Sequence, residues 1–86
     1  MITLYDYCPT LYLHGIDREY AAILIKDFIQ DNYHLKNETV IIIHGIGTGI
    51  IKKTTQEVLK KHPYVDKFKI DNFNSGMTIV TLRKKT

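Results

Sequence analysis

The sequence predicts a two-layer α/β sandwich, in which a four-stranded mixed sheet carries two helices on one face. Two observations support this fold class. Apolar residues alternate between strand-like and helix-like spacing over most of the chain, and the final part contains two strand-like segments with a turn between them. The predicted order is therefore β-α-β-α-β-β. Right-handed crossovers would place both helices on the same face and leave the other face open.

The first half of the chain predicts a strand, a helix and a central strand. Residues 10–14 alternate in polarity and end before Gly15, which is typical of a short strand. Asp17 can cap a helix over residues 17–33. The β-branched run Thr39–Ile43 predicts a central, parallel strand. The apolar face of the helix repeats at helical spacing and consists of Ala21, Leu24, Ile25 and Phe28.

The second half predicts a helix followed by a β-hairpin. The helix spans residues 49–61 and ends before Pro63. Val65–Ile70 alternates apolar and charged residues, residues 78–82 form a strong β run, and residues 72–76 between them are typical of a turn. The side chains expected to face inward from the helix are Ile51, Thr55, Val58 and Leu59, and those expected to face outward are Lys52, Lys53, Gln56 and Lys60.

The composition is that of one small globular domain. With 86 residues, 44% hydrophobic and 24% charged, the chain can bury only a thin core. We expect residues 10–86 to form a stand-alone domain, preceded by an N-terminal arm over residues 1–9 in which residues 2–5 could add an edge strand. The net charge of +3 is compatible with phosphate-bearing partners.

Cysteine content and hydropathy indicate a cytoplasmic protein without membrane attachment. Cys8 is the single cysteine, so the chain can form no internal disulfide, which favours a reducing compartment. The longest apolar run, over residues 20–25, is far shorter than the ~20 residues that span a bilayer. The N-terminus shows no basic region followed by an apolar stretch, so we expect no signal peptide.

Two histidine–glycine pairs follow the predicted parallel strands. His14 and His44 each end a strand, precede a glycine and lead into a helix. Because the carboxyl ends of neighbouring parallel strands meet at one edge, we expect both imidazoles at the edge where open α/β sheets bind ligands. The glycines after His44 would let backbone N–H groups and the positive end of a helix approach a phosphate. The predicted phosphate-binding residues at this edge are Gly15, Gly45, Gly47, Thr48, Gly49, Lys52 and Lys53.

The common nucleotide and metal motifs do not fit this chain. A P-loop needs Lys and then Ser or Thr after its glycines, whereas Ile50 and Ile51 stand there. A dinucleotide-binding fold needs several further strand–helix units, and only ~40 residues follow the loop. No Cys/His or Asp/His spacing resembles a structural metal site and no cofactor is evident, although a divalent metal ion without a visible site stays open.

Strand alternation indicates a second candidate surface on the open face of the sheet. If the apolar strand residues point at the helices, the residues between them point away. The open face then combines an aromatic side chain with positive charge, as in proteins that bind single-stranded nucleic acid. Met77 and Ile79 on that face would also suit a protein contact. The residues predicted for this surface are Tyr12, His14, Lys67, Lys69 and Arg83, and those predicted to face the helices are Leu11, Leu13, Phe68, Ile70, Val80 and Leu82.

Three motifs resemble those of Smr (small MutS-related) domains. Residues 11–15, Leu-Tyr-Leu-His-Gly, look like the family's Leu-Asp-Leu-His-Gly motif. Residues 43–49 resemble its Ile-His-Gly-Lys-Gly-Thr-Gly motif, and residues 76–80 resemble its terminal Gly-x-Thr-x-Val. Glu19 and Ala21 are similar to the family's acidic-then-Ala helix start. The resemblance runs in order from about residue 10 to residue 82.

The resemblance implies a fold like the C-terminal domain of translation initiation factor three. It also implies binding of DNA or RNA, including ribosome-bound RNA, and an endonuclease or nicking activity. Two positions depart from the family pattern: Tyr12 replaces an acidic residue tied to cleavage, and Ile46 replaces the loop Lys. Because His14, His44 and the glycines match, binding is expected to carry over more readily than cleavage.

Three functions stay open at this point. In a nuclease, His14 or His44 would act as general acid or base, while the loop amides stabilise the charge on the phosphorane. A non-catalytic nucleic-acid or ribosome-binding module would keep the fold without cleavage. A protein-interaction domain would use the open sheet face. A salt-dependent affinity for nucleic acid separates the first two functions from the third.

Overall fold

Four strands and two helices follow one another in the order that the sequence predicts. The computed structural model describes residues 7–85. The predicted edge strand at residues 2–5, and most of the predicted N-terminal arm, lie outside the described residues. The elements are β1 (Thr10–Tyr12), α1 (Arg18–His34), β2 (Thr39–Ile43), α2 (Ile50–Lys61), β3 (Val65–Ile70) and β4 (Met77–Leu82).

The four strands form one mixed sheet in the order β1-β2-β4-β3. β1 is parallel to β2, and β4 is antiparallel to both β2 and β3, so β3 and β4 pair as the predicted hairpin. β2 and β4 bury side chains on both faces and occupy the centre, whereas β3 alternates core residues with lysines and forms an edge. The predicted fold class and the central position of β2 are confirmed.

Both helices pack on the same face of the sheet and contact each other. Asp17 caps α1 as predicted, since its carboxylate accepts a hydrogen bond of 2.9 Å from the Tyr20 N–H. Burial of one face of each helix provides the apolar contact that stabilises this layer. The buried core consists of Ala21, Ile25 and Ile29 from α1, Leu59 from α2, Leu13 after β1, and Val40, Ile42, Val65, Val80 and Leu82 from the other strands.

The face opposite the helices is exposed only at its edges. Ile41 and Ile79 lie on that face at the centre of the sheet and are only 2% and 6% exposed. Tyr12 on β1 and the lysines Lys67 and Lys69 on β3 are exposed, as predicted. Three strand spacings of about 4.8 Å separate β1 from β3, so the aromatic and cationic parts of the predicted surface lie about 14 Å apart.

The first strand is shorter than predicted, and this changes the position of His14. β1 ends at Tyr12 rather than at residue 14, because the chain turns there, with the Ile16 N–H donating to the Leu13 carbonyl at 3.3 Å. Strand alternation therefore stops before His14, and the expectation that His14 shares the open face with Tyr12 does not follow from the observed strand. The other boundaries differ by one residue at most.

Candidate functional site

A cleft of about 250 Å³ lies at the carboxyl edge of β1 and β2. The turn after β1, the loop after β2 and the first turn of α2 form its walls. Residues 13–15 and 44–52 line it, so His14 and His44 reach the same cleft, as the sequence predicts. The predicted phosphate-binding glycines, Thr48 and Lys52 also line this cleft, whereas Lys53 does not.

The N-terminus of α2 faces this cleft without a cap of its own. Gly49 occupies the N-cap position with φ +84°, a conformation that a side chain would strain even though a Cβ there would meet no atom within 4 Å. The first hydrogen bond of the helix runs from the Lys53 N–H to the Gly49 carbonyl at 2.9 Å. The N–H groups of the preceding residues Ile50, Ile51 and Lys52 therefore have no intrahelical partner.

The two helices differ in how their N-termini are satisfied. α1 has the Asp17 cap and Glu19 in its first turn, so its own carboxylates offset the positive end of the helix dipole. α2 has no acidic residue in its first turn and no side-chain cap, and the Ile50 N–H approaches the Thr48 hydroxyl only at 3.5 Å. The N-terminus of α2 is thus free to bind an anion through backbone N–H groups.

His44 is a buried wall residue of the cleft. It is 6% exposed, and its ring nitrogens Nδ1 and Nε2 lie 2.9 Å from the Gly45 carbonyl and 2.7 Å from the Thr78 hydroxyl. A carbonyl only accepts, so Nδ1 carries the proton, and in the neutral ring Nε2 accepts from Thr78. Burial lowers the pKa of His44, against the opposing effect of the Gly45 carbonyl, and the charge of Lys52 lowers it further. A neutral ring with both nitrogens engaged fixes the loop.

Gly76 in the turn before β4 holds the same loop from the other side. Its carbonyl accepts from the N–H groups of His44 and Gly45, at 2.9 and 3.0 Å. A Cβ on Gly76 would lie 3.1 Å from the Gly45 backbone, so this close approach needs a glycine. Neither Gly76 nor Thr78 is among the site residues predicted from the sequence. The terminal Gly-x-Thr motif was the signal that could have indicated one.

Besides His44, the titratable side chains that line the cleft are His14 and Lys52. His14 is exposed, and its ring makes no hydrogen bond with any other described residue. Lys52 is half-buried, lines the cleft and lies close enough to His44 to influence its pKa. Lys53, the next residue, is exposed outside the cleft.

The remaining predicted residues lie away from the cleft. Tyr12 is 69% exposed at the end of β1, and Lys67 and Lys69 project from the edge strand β3. Arg83 follows β4 at the end of the sheet opposite the cleft. Its Nε donates to the Pro63 carbonyl at 3.0 Å, and its guanidinium lies 3.9 Å from the Asp66 carboxylate. The fold does not bring these four residues together with the glycine loop.

Two other histidines form an aromatic cluster where α1 and α2 end. Tyr33 and Tyr64 stack with ring centroids 3.8 Å apart, and His34 and His62 pack against Tyr64. Burial lowers the pKa of His62, and the charge of Lys26 lowers it further. Neither His34 nor His62 lines the cleft.

Three further features describe residues 7–85 as a whole. Within this range no group of three or more His, Cys, Asp or Glu side chains is placed to hold a metal ion. No helix among these residues is long and apolar enough to cross a membrane. Each buried side-chain nitrogen or oxygen in the same range has a hydrogen-bond partner.

Comparison with known proteins identifies relatives that match most of the chain. Endonuclease MutS2 from Clostridium perfringens (strain SM101 / Type A) is 34% identical over 74 residues, which cover 86% of this chain and 9% of that protein. Endonuclease MutS2 from Clostridium beijerinckii is 33% identical over 70 residues, which cover 81% and 9%. The chain thus spans about 9% of the length of these curated relatives.

Two solved structures share the fold. The Smr domain of Thermus thermophilus MutS2 superposes with a TM-score of 0.84 at 24% identity, covering 87% of this chain and 98% of that one. YdaL, a stand-alone small MutS-related protein from Escherichia coli, superposes with a TM-score of 0.85 at 25% identity, covering 93% and 68%. The Smr domain model matches residues 11–83, which include both histidine–glycine loops and the terminal Gly-x-Thr motif. The chain therefore belongs to the Smr domain family.

Proposed function

We propose that this chain binds nucleic acid, with one backbone phosphate in the cleft at the N-terminus of α2. The observation that carries this proposal is the set of N–H groups at Ile50, Ile51 and Lys52, which lack intrahelical partners at an uncapped helix end. A phosphate satisfies such donors and interacts favourably with the helix dipole. Lys52 adds a cation at the same place. The name of the Clostridium relatives, Endonuclease MutS2, supports nucleic acid as the source of that phosphate.

Phosphodiester cleavage is the reaction that we assign to this cleft. His14 is the exposed imidazole and serves as the general acid or base. The N–H groups of the loop would stabilise charge that develops on the phosphoryl oxygens. His44 acts as a positioning residue, because both of its ring nitrogens are engaged. Tyr12 supplies no carboxylate to orient a water or an imidazole. The replacement of the acid therefore lowers the rate of cleavage more than it lowers the affinity for nucleic acid.

A second candidate is a non-catalytic nucleic-acid or ribosome-binding module. Two observations favour it: a phenol stands at Tyr12, and His44 has no nitrogen free for proton transfer. Both candidates use the same phosphate site. The exposed Lys67 and Lys69 on β3 add positive charge for a strand that continues beyond the cleft.

Neighbouring lysines provide a matched test of the binding site. Lys52→Ala removes a cation that lines the cleft, whereas Lys53→Ala removes an equal charge one residue outside it. We expect Lys52→Ala to weaken binding to fluorescently labelled single-stranded RNA or DNA several-fold. It should also reduce the slope of log affinity against log salt by about 0.7 to 0.9. Equal effects of the two substitutions would contradict the cleft as the site.

Cleavage of an end-labelled strand separates the two candidates. An active native chain should lose turnover in His14→Ala and keep it in His34→Ala, which removes an exposed imidazole far from the cleft. Tyr12→Asp should raise the rate, because it restores the family's carboxylate two residues before His14 without disturbing a buried side chain. Absence of cleavage by both the native chain and Tyr12→Asp, with binding intact, selects the non-catalytic module.

A further inference from the structure

Phe73 is an aromatic side chain held almost entirely in solvent. It is 98% exposed, more than any other large hydrophobic side chain among the described residues. It lies in the turn between β3 and β4, on the polypeptide that leads into Gly76. A fully exposed phenyl ring gains nothing from the core of this domain, so its packing gives no reason for an aromatic residue here.

The turn that carries Phe73 is closed by hydrogen bonds. The Asp71 carboxylate accepts from the N–H groups of Phe73 and Asn74 at 3.1 and 2.9 Å. The Asn74 carbonyl accepts from the Met77 N–H at 3.1 Å, and the Asn74 side chain accepts from the Gly76 N–H at 3.0 Å. Because the backbone around Phe73 is fixed, a ligand that contacts the ring does not have to order the turn first.

This turn adjoins the phosphate cleft. The Gly76 carbonyl accepts from the N–H groups of His44 and Gly45, which line the cleft. Gly76 is three positions after Phe73, and three residues of extended chain span at most about 11 Å. The Phe73 backbone therefore lies within about 11 Å of Gly76, in the turn that is hydrogen-bonded to the glycine loop.

We propose that Phe73 stacks on an unpaired base of a nucleic-acid strand whose phosphate occupies the cleft. The inference rests on the proposed function and adds a ligand class to it, single-stranded rather than duplex nucleic acid. Proteins that bind single strands combine phosphate contacts with aromatic rings, because every base presents a π-face that a ring can cover. In a duplex the same faces are covered by neighbouring base pairs. The N–H donors of the cleft and the exposed ring of Phe73 supply these two contacts, and the turn that carries Phe73 is hydrogen-bonded to the loop that lines the cleft.

The test uses three substitutions at Phe73 and one control. Phe73→Ala and Phe73→Leu remove the ring, and Phe73→Tyr keeps it. Leu35→Ala removes a side chain that is 70% exposed at the amino end of β2, the opposite edge of the sheet. The probes are a fluorescein-labelled oligouridylate of about ten nucleotides and an abasic strand of the same length. Thermal melts should coincide for all four variants and the native chain, since each altered side chain is exposed.

We expect Phe73→Ala and Phe73→Leu to weaken binding to the oligouridylate by about tenfold, the range for loss of one stacked base. Phe73→Tyr and Leu35→Ala should bind like the native chain, and the abasic strand should not distinguish the variants. Native affinity in Phe73→Leu, or equal losses on the abasic strand, would overturn the inference. If Lys52→Ala weakens binding while Phe73→Ala does not, the phosphate site stands without base stacking. No binding by the native chain would overturn both proposals.

Discussion

His44 links the glycine loop to β4 through one neutral ring. Its Nδ1 donates to the Gly45 carbonyl in its own loop, and its Nε2 accepts from Thr78 on β4. Water has little access to the ring, so protonation would place a charge in a poorly solvated position. The shape of the glycine loop therefore depends on His44 staying neutral. This dependence connects a single pKa to the stability of the domain.

We expect the free energy of unfolding to fall as the pH is lowered from about 7.5 to about 5. The pKa of His44 is below its usual value of 6.5 in the folded chain, so between these two values the unfolded chain binds the additional proton. The neutral ring makes its full contribution to stability above pH 6.5, the usual pKa of histidine. This contribution is lost as the pH falls toward the lower pKa of His44 in the folded chain. His62, whose pKa is also lowered, contributes in the same direction.

Urea denaturation at several pH values measures this dependence. His44→Gln should remove the part of the slope due to His44, and His62→Gln should remove the remainder due to His62. The cleft is affected only by the first substitution, so nucleic-acid binding should weaken in His44→Gln and not in His62→Gln. A pH dependence that persists unchanged in both variants would refute this assignment.

Much of the site was predictable at the level of residues, but the environments of the two histidines were not. The sequence placed His14 and His44 at one edge, and both line the same cleft. Their similar motifs gave no reason to expect one exposed ring and one buried ring. The burial of His44 depends on Thr78, which is 34 residues further along the chain and pairs with it only after β4 enters the sheet.

At the level of elements, the N-termini of the two helices differ in how their local sequence would receive an anion. Asp17 and Glu19 stabilise the start of α1, and their carboxylates also repel an anion there. Gly49 begins α2 without either contribution. The first turn of α2 therefore has no side-chain cap, and a bound phosphate can supply the missing hydrogen-bond acceptor.

Ile50→Asp should therefore stabilise the domain and weaken its binding to nucleic acid. An acidic side chain in the first turn of α2 interacts favourably with the positive end of the helix dipole. This interaction should raise the free energy of unfolding by about 0.3 to 1 kcal/mol. The same carboxylate repels a phosphate from the cleft. Ile50→Asn is the neutral control for loss of the exposed isoleucine side chain. Urea denaturation and binding titrations of both variants measure the two effects, and Asp and Asn variants that bind equally well would contradict the proposed site.

The spacing of apolar residues predicted which helices and strands form better than it predicted the order of the strands in the sheet. The helices and strands follow from apolar spacing, and the Asp17 cap follows from its position. The order β1-β2-β4-β3 could have been inferred only in part. Buried residues on both faces of β4 require a central position, whereas the lysines of β3 suit an edge. Which edge β3 takes depends on how α2 packs against the sheet, and no local pattern specifies that.

The whole molecule separates its charged and aromatic surfaces. Tyr12 and the lysines of β3 lie on opposite edges of the sheet, with the nearly buried Ile41 and Ile79 between them. The sequence predicted their common face correctly, but strand order sets the distance between them. The cleft instead combines contributions from β1, β2, β4 and α2 at one end of the sheet. Its location follows from the parallel pairing of β1 with β2, which the strand–helix–strand order of the sequence already predicted.

The most direct test of the central claim is a titration of the isotope-labelled chain with a short oligouridylate, followed by amide chemical shifts in ¹H–¹⁵N NMR spectra at low salt. If a phosphate occupies the cleft, the amides of residues 46–52 should move progressively and give the largest shifts, because their N–H groups become hydrogen-bond donors to the ligand. The same amides should move less in Ile50→Asp. Largest shifts confined to β3 or to α1, with residues 46–52 unmoved, would contradict the account.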